Sequence, residues 1–103
     1  MNLPTRAKEV ALWLDISLTR DTFCELWLFG SFTTDKEQPS DVDVHGVFEE
    51  RNMQAARRQR SVARKMFQTR FGLPLHLTLL TTAEVQEVQQ SVQTMLRCAW
   101  RLR

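Results

Sequence analysis

Leu26-Trp27-Leu28-Phe29-Gly30-Ser31 and, after nine intervening residues, Asp41-Val42-Asp43-Val44 are the two stretches on which the fold turns. The apolar, aromatic run Phe23–Phe29 reads as a buried strand over 24–29 that ends at Gly30. Glycine lets a ligand approach the backbone closely, and Ser31 adds a hydroxyl. A strand running into Gly-Ser therefore offers N–H groups to phosphate oxygens. In Asp41-Val42-Asp43-Val44 polar and apolar residues alternate with the strand period. A strand over 42–48 puts both carboxylates on one face. Converging carboxylates suit Mg²⁺, whose coordination is usually completed by substrate phosphates.

Working outward, Leu3, Ala7, Val10, Leu14 and Leu18 recur at helical spacing, which predicts a helix over 5–18 with Thr5 as a candidate cap. Residues 33–39 form a polar loop. Met53, Ala56, Ala63, Met66 and Phe67 mark one stripe of a helix over 51–70, which Gly72 and Pro74 terminate. Leu75-His76-Leu77-Thr78-Leu79-Leu80 alternates as a third strand over 74–80. A last helix is expected over 83–100, capped by Thr81 or Thr82 with Glu84 in its first turn. The order is helix, strand, loop, strand, helix, strand, helix. It predicts a single α/β (α+β) domain over 1–103 with a small mixed sheet and flanking helices.

With 103 residues, 43% of them apolar, the chain can build one core. Its formal charge of +2 hides a segregation. Seven of fourteen basic residues lie in Arg51–Arg70, and six of twelve acids lie just before it, from Asp35 to Glu50. An acidic site beside a basic helix is the functional reading; a solvated helix face is the plain one. Cys24 and Cys98 follow no metal spacing. No charged-then-apolar leader or membrane-length apolar run is evident, so a cytoplasmic protein with reduced thiols is expected.

The segment from Leu26 to Val44 resembles the signature of the minimal nucleotidyltransferases of the DNA polymerase beta superfamily. That signature is a hydrophobic strand, Gly-Ser, about ten residues, then Ser-Asp-hydrophobic-Asp-hydrophobic, matched here by Ser40-Asp41-Val42-Asp43-Val44. The likeness is tightest over 26–48, and the element order extends it loosely to the whole chain. It implies a nucleotidyltransferase-like fold and a nucleoside triphosphate held by Gly30 and Ser31. It also implies Mg²⁺ or Mn²⁺ on Asp41 and Asp43, with transfer of a nucleotidyl group to a hydroxyl acceptor. Relatives include aminoglycoside-modifying transferases and small antitoxins that modify or sequester a helical ribonuclease.

Two departures from the family pattern bear on activity. Phe32-Thr33-Thr34-Asp35-Lys36 stands where many members have Ala-Arg-Gly, and Lys36 is the candidate replacement charge at the nucleotide. The third catalytic carboxylate belongs on the third strand, which has no acid; His76 occupies the best-matching slot. Imidazole can serve as a base near neutral pH, but it is a poor Mg²⁺ ligand. Two readings therefore stand side by side: a metal-dependent transferase using Asp41, Asp43 and His76, and a non-catalytic, antitoxin-like module that pairs with another protein.

His45 shares a face with both aspartates. An Asp41, Asp43, His45, His76 cluster would favour Mn²⁺ or Zn²⁺; a histidine hydrogen-bonded to a carboxylate is the simpler alternative. The basic helix lacks interleaved aromatics, so no nucleic-acid partner is expected. Trp27 and Trp100 read as core or interface residues. A homodimer or partner protein would suit so small a core.

Overall fold

The computed structural model describes residues 5–29, 41–87 and 99–103. Its elements are α1 (Thr5–Ser17), β1 (Phe23–Phe29), β2 (Val42–Phe48), a 3₁₀ turn (Glu50–Asn52), α2 (Met53–Phe71), β3 (Leu75–Thr81), α3 (Thr82–Glu87) and β4 (Trp100–Arg101). The strands form one mixed sheet in the order β3-β2-β1-β4. β1 runs antiparallel to β2 and to β4, whereas β2 and β3 are parallel. A parallel pair needs a crossover, and α2 supplies it.

The period of two along each strand separates two faces. Leu26, Leu28, Val42, Val44, Phe48, Leu75 and Leu77 join Ala7, Val10, Leu14, Leu18, Ala56, Ala63 and Phe67 in one buried cluster. Trp13 locks the two helices together, edge-on to Phe67 with ring centroids 5.5 Å apart. Both helices thus cover one face. The other face carries Asp43, His45, His76 and Thr78, with Trp27 and Phe29 as their neighbours along the ladders.

Local chemistry sets the ends of the elements. Gly72 closes α2 in the left-handed region at φ 72°, its N–H donating to the Gln68 carbonyl. Thr81 and Glu84 form a capping box: the Thr81 Oγ1 accepts from the Glu84 N–H and the Glu84 carboxylate from the Thr81 N–H, each at 3.1 Å. Gln59 of α2 donates to the hydroxyls of Thr19 and Thr22 and accepts from the Thr19 N–H, pinning the α1–β1 turn.

Two sequence expectations change. The last helix does not reach residue 100: α3 is described over Thr82–Glu87, and Trp100–Arg101 is a strand opposite Leu28 and Trp27. Backbone pairing with β1 overrides the helical spacing there; residues 88–98 lie outside the described segments. Met66 is more than half exposed, so the α2 stripe reaches the core through Ala56, Ala63 and Phe67 instead. No helix among the described residues is long and apolar enough to cross a membrane.

Candidate metal and phosphate site

β2 and β3 position the site. In their parallel register Asp43 lies opposite His76, and His45 lies opposite Thr78. Asp41 immediately precedes β2, one pleat before Asp43 on the same face. The His76 Nδ1 stands 3.6 Å from an Asp43 oxygen and 3.9 Å from an Asp41 oxygen. Donor atoms of the three residues all lie within 4.8 Å of one another. Among the described residues, no lysine or arginine pairs with either carboxylate. His76 is exposed and the two aspartates are half-buried, so the cluster is open to solvent.

The arrangement fits a divalent cation. At a metal–oxygen bond of about 2.1 Å, neighbouring octahedral ligands sit about 3 Å apart and opposite ones about 4.2 Å apart. The nitrogen–oxygen separations exceed a hydrogen bond and would need only small side-chain rotations to meet those values. Two carboxylates with one imidazole suit Mn²⁺ better than Mg²⁺, because imidazole is a softer donor.

His45 does not join the cluster. Its ring lies against Phe29, centroids 4.3 Å apart and tilted by 45°. Burial there pushes its pKa below the ordinary imidazole value, while the Asp43 charge pulls it back up. The four-residue cluster that the sequence left open as one alternative is thus a three-residue one. Gly30, Ser31 and Lys36, the expected nucleotide-binding residues, lie outside the described segments.

At the β3 edge of the sheet, His76 also borders a groove shared with α2. A cavity of about 580 Å³ lies between α2 and β3, lined by Arg64, Lys65, Gln68 and His76 among others. A second, of about 240 Å³, adjoins it along Arg60, Arg64, His76 and Thr78. The sequence marked α2 as basic but not which basic residues border the site. Arg60, Arg64 and Gln68 recur every four residues, the helical spacing that aligns them on one side.

A mixed four-stranded sheet with two helices packed on one face and an open Asp-Asp-His cluster on the other defines a small α+β domain with a candidate metal centre. The chain belongs to a family of unknown function, DUF6932, whose model matches residues 4–100. No curated protein and no solved structure matches it.

Proposed function

We propose that this protein is a nucleotidyltransferase-like domain that binds a nucleoside triphosphate together with a divalent cation, Mn²⁺ in preference to Mg²⁺, at Asp41, Asp43 and His76. The convergence of those three donors on one sheet face carries the reading. The Gly30-Ser31 motif that precedes it in the chain supports it. In transfer, the acceptor hydroxyl oxygen bonds to the α-phosphorus as the bond from that phosphorus to its bridging oxygen breaks. Pyrophosphate leaves with the electron pair, and the hydroxyl proton passes to solvent water, because a His76 imidazole that ligates the cation has no free lone pair to take it. A bound cation supplies charge stabilisation at the phosphoryl oxygens. With only two carboxylates, the chain holds one cation better than two, and slow transfer is expected. The test is binding of a non-hydrolysable nucleoside triphosphate with Mn²⁺, alongside transfer of label from its α-phosphate. Mn²⁺-dependent binding that Asp41→Asn abolishes supports the proposal; no binding of nucleotide or Mn²⁺ refutes it.

The second reading, an antitoxin-like module that pairs with another protein, is favoured by a different observation. Leu12, Ile16, Val62 and Met66 are exposed. Val62 and Met66 border a largely apolar hollow of about 410 Å³ between α1 and α2, with Trp13 in its wall. Exposed large apolar groups clustered in this way commonly mark an interaction surface. A shift of the purified protein to a defined complex, abolished by Val62→Lys, would support that role.

A further inference from the structure

We propose that the groove between α2 and β3 is a binding site for a phosphorylated small molecule, with Arg60, Arg64 and Lys65 holding the phosphate beside His76. The two cavities along the groove share Arg64, Leu75 and His76, so they form one continuous trough. No carboxylate lines either cavity. Among the described residues, neither the two arginines nor the lysine is engaged in an ion pair. Ser61, Gln68 and Thr69 add neutral hydrogen-bonding groups to the same wall.

Three unneutralised cations with no carboxylate in the lining favour an anion. The planar guanidinium fork matches phosphate in particular. Cavities of about 300–1,000 Å³ take small molecules, and the larger one here falls within that range at about 580 Å³. A phosphorylated sugar or mononucleotide fits this volume. His76 belongs both to the trough and to the Asp41–Asp43 cluster. A ligand bound by its phosphate at Arg64 therefore shares His76 with the Asp41–Asp43 cluster. Under the nucleotidyl-transfer reading it is the acceptor, and that role rests on the reading. The phosphate site itself does not.

The probes are ribose 5-phosphate and ribose, titrated with EDTA present so that no cation bridges ligand and carboxylates. Binding is followed by NMR shifts of the Arg64 side-chain N–H and the Leu75 amide. Ribose 5-phosphate is expected to bind and ribose not. Arg64→Gln with Lys65→Gln should weaken binding at least about tenfold, and raising salt should weaken it further. Both positions are exposed on α2, and an unchanged melting temperature verifies the fold. Asp41→Asn should hold or tighten phosphate binding while it removes Mn²⁺ binding, so the groove and the metal centre succeed or fail separately. Equal affinity in the double variant overturns the proposal. So does binding of single-stranded RNA through the same residues without binding of ribose 5-phosphate, which would make the groove a polymer track.

Discussion

His76 and Asp43 are paired residues of the parallel β2–β3 ladder, and their side chains meet with Nδ1 3.6 Å from Oδ1. Register alone brings a base and an acid from distant parts of the chain to one spot. At the proposed cation site, that pairing makes binding depend on both strands. His76→Ala should lower Mn²⁺ affinity about tenfold, the loss expected of one ligand among three. His76→Asp should raise Mg²⁺ affinity by exchanging imidazole for a hard oxygen donor. Calorimetric titration with each metal measures both effects; unaltered Mg²⁺ affinity in the Asp variant would count against a shared site.

His45 predicts a pH dependence of stability. Burial against Phe29 lowers its pKa in the folded state, so the unfolded chain takes up a proton at higher pH. Its contribution is complete above about pH 6.5 and is lost as pH falls toward the depressed folded value. Urea unfolding between about pH 7 and about pH 5.5 should show falling stability. His45→Gln should flatten that slope. An identical slope in both proteins would assign the dependence to other groups.

Gly46 leaves room for the Phe23 ring. A Cβ there would stand 2.8 Å from the Phe23 Cε1 and 2.9 Å from its Cδ1. Phe23 is fully buried and packs edge-on against Phe48, so the ring has little freedom to withdraw. Gly46→Ala should cost about 1–3 kcal/mol, the usual penalty of overpacking. The same change in a Phe23→Leu background should cost less, and a double-mutant cycle from denaturant unfolding measures the difference.

Arg103 ties the first helix to the first strand. Its guanidinium donates to the Asp15 carbonyl at 2.7 Å, to the Asp15 carboxylate at 2.8 Å and to the Phe23 carbonyl at 3.0 Å. The arginine side chain is only 5% exposed, whereas that of Asp15 is 33% exposed. Asp15→Ala should therefore cost about 2 kcal/mol, between the values typical of surface and of buried pairs. Thermal unfolding would report it; a loss below about 0.5 kcal/mol would mean that solvent replaces the carboxylate.

Much of this arrangement was legible before folding because period governs face. The alternation in Asp41-Val42-Asp43-Val44 and in Leu75-His76-Leu77 put the carboxylates and His76 outward and the aliphatic residues inward. Thr81 and Glu84 carried the capping box in their spacing. What period cannot supply is lateral position. His45 shares the outward face, yet its ladder neighbours are Trp27 and Thr78, and its ring settles on Phe29. β4 is too short to carry a period and exists through its bonds to β1. Which arginines border His76 depended on how α2 lies across the sheet, a tertiary property.

Alternation along β2 has another result, which concerns mispairing. If β2 slid by one residue against its neighbours, Asp43 and His45 would turn under the helices and Val42, Val44 and Phe48 would turn out to water. Each unpaired carboxylate so buried costs several kcal/mol. The acids therefore act as a proofreading device for strand assembly, rejecting the offset sheet before any ligand arrives. Replacing Asp41 and Asp43 with valine would remove the candidate metal centre, and it would also leave His45 as the one ionisable residue of β2 that distinguishes the two faces and keeps this sheet in a single alignment.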